Sequence, residues 1–331
     1  MRKLMLMTLA AGLIACGPST PERRPGRDVV RAVVSPYLNM MPFHIAADEG
    51  YFDAQGLDVE FIRLGRTQEI MAALASGDVD AAGGMLTVNE LNLAQRGARV
   101  RMVTDLGRLA ADACTFNAVV VQRRHLESGA LEDPERVRGM VLDADVLIPF
   151  GYWMDELLAP LGLTIDDLEI VNLSSPAAME AFRGGSIDIT LESEPFLTMY
   201  RAMDEAAVWR PVQDLAPDYA IAMVMYGPSL LDDRPDVGER FAVAMLQALR
   251  QYAEGKTPRN LEIIAAASGL TEEQLRAACW PDLRSEGHID PTVFDGYQRW
   301  NLERGFIDRT MTPDELFAPH FMEHAHRELD R

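Results

Sequence analysis

Apolar residues along this chain follow two rhythms that alternate: short unbroken runs, and a wider spacing in which apolar positions recur on one side of a helix. Runs bounded by Gly, Asp or Pro read as strands buried on both faces. On that basis Val29 to Ser35 is a strand, Met41 to Phe52 a helix, Val59 to Leu64 a strand, Thr67 to Ser76 a helix and Val79 to Ala82 a short strand, with a further helix from about Thr87. Val100 to Thr104 and Phe116 to Gln122 are strands that lead away from this unit. The rhythm then restarts: strand Gly139 to Leu142, helix Tyr152 to Leu161, strand Leu168 to Leu173, helix Pro176 to Arg183, strand Ile187 to Leu191. Trp209 to Val212 and Ala220 to Tyr226 are two return strands. Beyond Pro235 the pattern is helical, over Val237 to Glu254, Leu261 to Ser268, Glu272 to Cys279, Pro291 to Glu303 and Pro313 to Leu329, with Thr271 and Thr312 as N-caps. Such alternation predicts an α/β fold with a helical C-terminal region.

The restart suggests an internal duplication. In the first half Gly56-Leu57 and Val59-Glu60-Phe61 precede a helix that ends at Gly77-Asp78-Val79-Asp80; in the second, Gly162-Leu163 and Leu168-Glu169-Ile170-Val171 precede one that ends at Gly184-Gly185-Ser186-Ile187-Asp188. Each half thus has a glycine able to end its helix in the left-handed region, then a short strand carrying an aspartate. Two similar lobes follow.

One apolar run stands apart. Arg2 and Lys3 precede Leu4 to Ile14, which is uncharged and, at 11 residues, too short to span a bilayer but long enough for the core of a signal peptide. Its end, Leu13-Ile14-Ala15-Cys16, resembles the bacterial lipobox, which implies cleavage after residue 15 and a lipid on the Cys16 thiol. An ordinary signal peptide with an incidental cysteine is the alternative. Residues 16–27, rich in Pro, Gly and polar groups, read as a flexible tether.

Composition narrows the function classes. Hydrophobic residues are 48% of the chain and no later segment is apolar for long enough to span a membrane, so the body is soluble with a sizeable core. The 31 Lys plus Arg against 51 Asp plus Glu give a net charge of −20, and loss of Arg2 and Lys3 leaves −22. Nucleic acid, which requires a basic surface, is not an expected partner. Besides Cys16 only Cys114 and Cys279 are present; two buried free thiols are the ordinary reading, and a disulfide in an oxidising compartment is the alternative.

Glu49-Gly50-Tyr51-Phe52-Asp53-Ala54-Gln55-Gly56-Leu57-Asp58-Val59-Glu60, the Ala72 to Ala81 segment ending Ser76-Gly77-Asp78-Val79-Asp80, and Glu194-Pro195-Phe196 resemble the class II periplasmic solute-binding proteins of the nitrate, sulfonate, taurine and thiamin-precursor branch, which serve ATP-driven importers. The resemblance covers roughly residues 28–255. It implies a two-lobed class II periplasmic-binding-protein fold that closes on a small molecule like a hinge, with a permease and an ATPase as partners and no cofactor. The expected division is 1–15 signal peptide, 16–27 tether, 28–120 with 213–331 lobe 1, and 121–212 lobe 2. The expected product is a monomeric exported lipoprotein, facing the periplasm in a diderm and the outer surface in a monoderm.

In open α/β sheets ligands bind beyond the carboxyl ends of strands, at the N-termini of following helices. Five segments qualify here. They supply the candidates Tyr37, Asn39 and His44 after the first strand; Gly84, Met85 and Thr87 after the third; Asn117 at the crossing between lobes; and Phe150, Tyr152, Trp153, Glu192 and Glu194 in the second lobe. The aromatics offer a stacking platform, and the two glutamates favour a neutral or weakly cationic ring such as a pyrimidine. None of the five segments carries Lys or Arg, the nearest basic candidate being Arg66. A sulfonate or nitrate held by helix N-termini is the alternative ligand.

Two other classes are weighed. A pyridoxal-phosphate enzyme making the thiamin pyrimidine needs a lysine at the cleft, and after loss of Lys3 only Lys256 remains, in a loop between helices. No dinucleotide, Walker or nucleophile-elbow motif supports catalysis. A structural envelope lipoprotein would use the same anchor without a hinge. His320, His324 and His326 include an i, i+4 pair suited to zinc, but no further ligand completes a site, and they read as a solvated terminal helix.

Overall fold

The computed structural model describes residues 26–64 and 67–331; the leader, Cys16 and most of the tether lie outside them, as does Arg66. Among the described residues ten strands form two five-stranded sheets. They are β1 (Asp28–Val33), β2 (Leu57–Ile62), β3 (Ala81–Gly84), β4 (Arg101–Asp105), β5 (Asn117–Gln122), β6 (Val141–Asp143), β7 (Glu169–Val171), β8 (Ile189–Ser193), β9 (Ala206–Pro211) and β10 (Met223–Tyr226). The strand orders are β2-β1-β3-β10-β4 and β7-β6-β8-β5-β9.

The two orders are the same topology. In each sheet the first three strands of a βαβαβ unit are parallel, and the fourth position is taken by an antiparallel strand arriving from the other lobe, β10 in one and β5 in the other. Each of these crossing strands also carries a register shift against its edge neighbour, between Val224 and Met225 and between Val119 and Val120. The repeated aspartates have the same work. Asp80 accepts from the Arg31 amide of β1 at 2.7 Å while its own amide donates back to Arg31, and Asp188 does likewise with Val141 of β6 at 3.1 Å. Each ties the start of a third strand to the first before the ladder begins, and each is then neutralised by an arginine, Arg234 at 2.8 Å or Arg124 at 3.0 Å. Gly77 and Gly185 end the preceding helices at φ of +79° and +76°.

Helix Pro235–Ala253 carries the packing of the first lobe. Phe241, Met245, Leu249 and Tyr252 fall on its buried face against helices Met41–Asp48 and His320–Leu329, each such side chain contributing about 1.5–3 kcal/mol of burial. Among the described residues no helix is long and apolar enough to cross a membrane.

Three predicted helices are divided. Gly50, at φ +73°, separates Met41–Asp48 from Tyr51–Ala54. Pro319 keeps the preceding chain extended, so Phe317 bridges to Met102 of β4 and splits Pro313–Leu316 from His320–Leu329. A 3₁₀ turn, Pro291–Phe294, leads into Asp295–Glu303. The free-thiol reading is also corrected: Cys114 and Cys279 form a disulfide, with Cα atoms 5.6 Å apart across a sequence separation of 165. The stacking of Trp280 on Tyr252, 5.0 Å between centroids, seats the turn that brings Cys279 to the crossing segment.

Candidate ligand cleft

In each sheet the chain leaves its first strand to one side and its third to the other, so a crevice opens at their carboxyl ends. Beyond β1 and β3 of the first lobe lies a cavity of about 180 Å³, closed on its far side by the second-lobe residues Asn117, Ile148, Phe150 and Ser193. Backbone makes the room. A Cβ on Gly83 would lie 2.5 Å from the Met40 sulfur, and one on Gly84 would lie 2.9 Å from the Met225 methyl, so side chains there would fill the space.

The structure brings seven of the predicted residues to this cavity: Tyr37, Asn39, Gly84, Met85, Thr87, Asn117 and Phe150. Asn39 precedes helix Met41–Asp48, Thr87 caps helix Val88–Gln95, Asn117 begins β5 and Phe150 lies in the first turn of helix Pro149–Leu158. Two of these bear unspent acceptors. Asn39 Oδ1 and Asn117 Oδ1 are buried without a hydrogen-bond partner, while Asn117 Nδ2 donates to Ser193 Oγ at 2.5 Å. A buried unpaired amide oxygen is costly, so each has the capacity to accept a further hydrogen bond.

One carboxyl on the cavity escaped prediction. Glu90 accepts hydrogen bonds from the Thr87 amide, at 2.9 Å, and from the Thr87 hydroxyl. Burial pushes its carboxyl up to about 7 against those bonds. Its signal was in the sequence, since Thr87-Val88-Asn89-Glu90 is a capping box. Ile221, Ala222 and Met225 also line the cavity, brought there by the return strand from the far side of the second lobe, and no local pattern announces them.

The remaining predicted residues stand off the cavity. His44, half-buried, packs on Phe61 with ring centroids 4.9 Å apart, and burial followed by the Arg63 charge lowers its pKa. Trp153 is fully buried against Tyr219, centroids 5.3 Å apart, and Tyr152 faces Tyr297 and Trp300 at 6.1 and 6.2 Å. Successive helical positions point to different sides, so only Phe150 of the three aromatics faces the cleft. Glu194 is spent on structure: its carboxylate accepts from the Thr198 amide and hydroxyl, from Arg201 and from the Cys279 amide. Glu192 lies behind Tyr37, accepting from Ser175 Oγ at 3.4 Å, and burial with the nearby Asp143 pushes it up to about 8. Burial and Glu192 in turn raise the Tyr37 hydroxyl above its ordinary range.

Other candidate chemistry disperses. Lys256 Nζ donates to the carbonyls of Arg276 and Ala278, both at 2.7 Å, at the end of helix Glu272–Ala277. His324 faces Glu239, and His326 contacts Asp330 and the Glu286 carbonyl. Among the described residues no group of three or more His, Cys, Asp or Glu is placed to hold a metal.

Residues 29–268 match the family model described as the NMT1-like family. The chain belongs to the NMT1-like family. It is 25% identical over 265 residues to the taurine-binding periplasmic protein of Escherichia coli K12, covering 73% of this chain and 74% of that one. The ligand-binding component of an ABC-type import system from Staphylococcus aureus, solved with zinc bound, shares its fold with a TM-score of 0.74 at 14% identity, over 91% of this chain and 100% of that one. The periplasmic nitrate-binding protein NrtA of Synechocystis PCC 6803 does so with a TM-score of 0.72 at 14% identity, over 93% and 90%. The NMT1-like chain therefore shares the two-lobed α/β fold of periplasmic binding proteins.

Proposed function

We propose that this NMT1-like protein is the solute-binding component of an ATP-driven importer, tethered through Cys16, and that its solute is a small uncharged or weakly cationic heterocycle of pyrimidine type. The carrying observation is the lining of the cavity. Two buried amide oxygens, Asn39 Oδ1 and Asn117 Oδ1, await N–H donors; Glu90 adds a carboxyl; and Tyr37, Phe116 and Phe150 supply ring faces. Among the described residues the lining has no Lys or Arg to neutralise an anion. A volume of about 180 Å³ is below the ordinary range for drug-sized ligands and suits a single ring.

A second reading has specific support: taurine is named for the Escherichia coli relative, and helix Thr67–Ser76 begins at the cavity, where a helix N-terminus attracts negative charge. Calorimetry of the purified body against aminopyrimidines, flavins, taurine, other sulfonates and nitrate separates the two. Saturable binding of an aminopyrimidine is expected, and binding confined to sulfonates or nitrate overturns the heterocycle reading.

A further inference from the structure

The family match ends at residue 268, yet the segment that follows reaches both walls of the cavity. On the first lobe it is anchored to helix Val88–Gln95, whose start carries Thr87 and Glu90. Asn92 Nδ2 donates to the Phe306 carbonyl at 3.0 Å, Gln95 Nε2 to the Arg309 carbonyl at 2.8 Å, and the Asp308 amide to Gln95 Oε1 at 3.3 Å. On the second lobe it meets helix Pro149–Leu158, whose start carries Phe150. There Asp155 Oδ2 accepts from Trp300 Nε1 at 2.7 Å and from Arg304 Nε and Nη2 at 3.1 and 2.7 Å.

The contact is dense and well oriented. Arg304 lies 5.0 Å over the Trp300 ring and pairs with Asp166 at 3.1 Å, and Tyr297 donates to the Leu147 carbonyl at 3.1 Å, next to the cavity residue Ile148. Close approach depends on Gly151, where a Cβ would sit 3.0 Å from the Trp300 ring and 2.8 Å from the Val146 carbonyl oxygen. The two walls touch directly where the Val88 amide donates to the Leu147 carbonyl at 3.1 Å.

We infer that residues 295–309 are a strap that clasps the two walls together, and that Asp155, Trp300 and Arg304 fasten to it the helix Pro149–Leu158, whose first turn carries Phe150. Breaking the second-lobe half of the clasp releases helix Pro149–Leu158 without disturbing the anchor on Val88–Gln95. The inference uses the cavity and not the identity of its solute, so its test needs none.

Hydrogen exchange and small-angle scattering on the full solute-free chain decide it, with Asp155→Asn and Arg304→Gln as variants. The introduced asparagine keeps an acceptor for the Ile165 amide, which Asp155 Oδ1 binds at 2.7 Å, so the second lobe retains that tie. The expected result is about tenfold faster exchange confined to residues 147–158, the scale of one lost charged hydrogen bond, with a larger radius of gyration. Asp166→Asn, which removes only the exposed arm, is expected to move the same amides less. Unchanged exchange at residues 147–158, or equal acceleration across both sheets, overturns the strap. If a variant fails to fold, Trp300→Phe, which keeps an aromatic ring and loses the N–H, supplies the same reading.

Discussion

At the carboxyl ends of β1 and β3 the chain runs through Gly83 and Gly84, which face the cavity; at those of β6 and β8 it runs through Asp143 and Glu192, which are buried behind it, while Ser193 reaches the lining. The two walls have the same topology. In the second, Asp143 accepts from the Leu173 amide at 2.9 Å and from Thr190 Oγ1 at 3.4 Å, Glu192 sits beside it, and Tyr37 from the first lobe roofs the pair through Ser175. The repeated topology thus gives the one cavity two unlike walls: glycines leave room on the first-lobe side, and buried carboxyls stand behind the second-lobe side. Burying a carboxyl is tolerated when it takes up a proton, which is why Glu192 is pushed up to about 8 and Asp143 is raised as well, chiefly by burial.

The largest expected effect comes from neutralising the second-lobe wall. A carboxyl whose folded pKa is raised from 4.5 to about 8 holds its proton more tightly in the folded state. Its contribution to stability is therefore full below the ordinary value and is lost as pH rises toward about 8, at about 1.4 kcal/mol per pH unit. Glu192→Gln should abolish that slope. Urea melts at pH 5 and pH 8 should show the wild type losing up to about 4 kcal/mol more than the variant, with Glu90 and Asp105, raised to about 7 in both proteins, cancelling from the difference. A wild type as flat as the variant would mean that Glu192 ionises in the folded state.

Filling the first-lobe side is the converse experiment. Gly84→Val drives side-chain atoms into the Met225 methyl, and about 2 kcal/mol of lost stability is expected from overpacking. The solute that calorimetry identifies for the wild type should no longer bind, while the second lobe keeps its exchange protection. Retained binding would place the solute elsewhere.

The smallest effect separates the caps of the two lobes. Thr87 closes helix Val88–Gln95 through its hydroxyl, whereas the corresponding helix of the second lobe, Phe196–Arg201, has Pro195 at its N-cap, and the carboxylate of Glu194 before it accepts from the Thr198 amide at 3.0 Å. Thr87→Ala should cost about 1 kcal/mol and raise the Glu90 pKa further, since a bond that lowers it is lost. Thermal melts measure the first and carboxyl NMR titration of Glu90 the second.

Much of this was legible from local pattern. Helix Thr67–Ser76 has the predicted ends because its spacing and its Ser76-Gly77 stop are both local signals. Thr271 and Thr312 cap as expected, each in a capping box. The cleft candidates divide by the same logic. Residues immediately beyond strand ends, such as Asn39, Thr87 and Asn117, reach the cavity because strand order fixes where those ends lie. Tyr152 and Trp153 do not, because one more step along a helix turns a side chain to another face; Tyr152 serves the strap and Trp153 the core.

The alternation of strands and helices, the repeat that builds two equivalent sheets, the acidic balance and, as an expectation, the leader ending at Ala15 are all contained in the linear order of residues. Packing in three dimensions decided that Cys114 meets Cys279, that Ile221, Ala222 and Met225 wall the cavity, and that residues 295–309 contact both lobes. The physical reason is range. Periodicity and capping are set by neighbours within a few turns, whereas each of those outcomes depends on contact between segments far apart in the chain, whose meeting is fixed only when the two sheets and the C-terminal helices pack together.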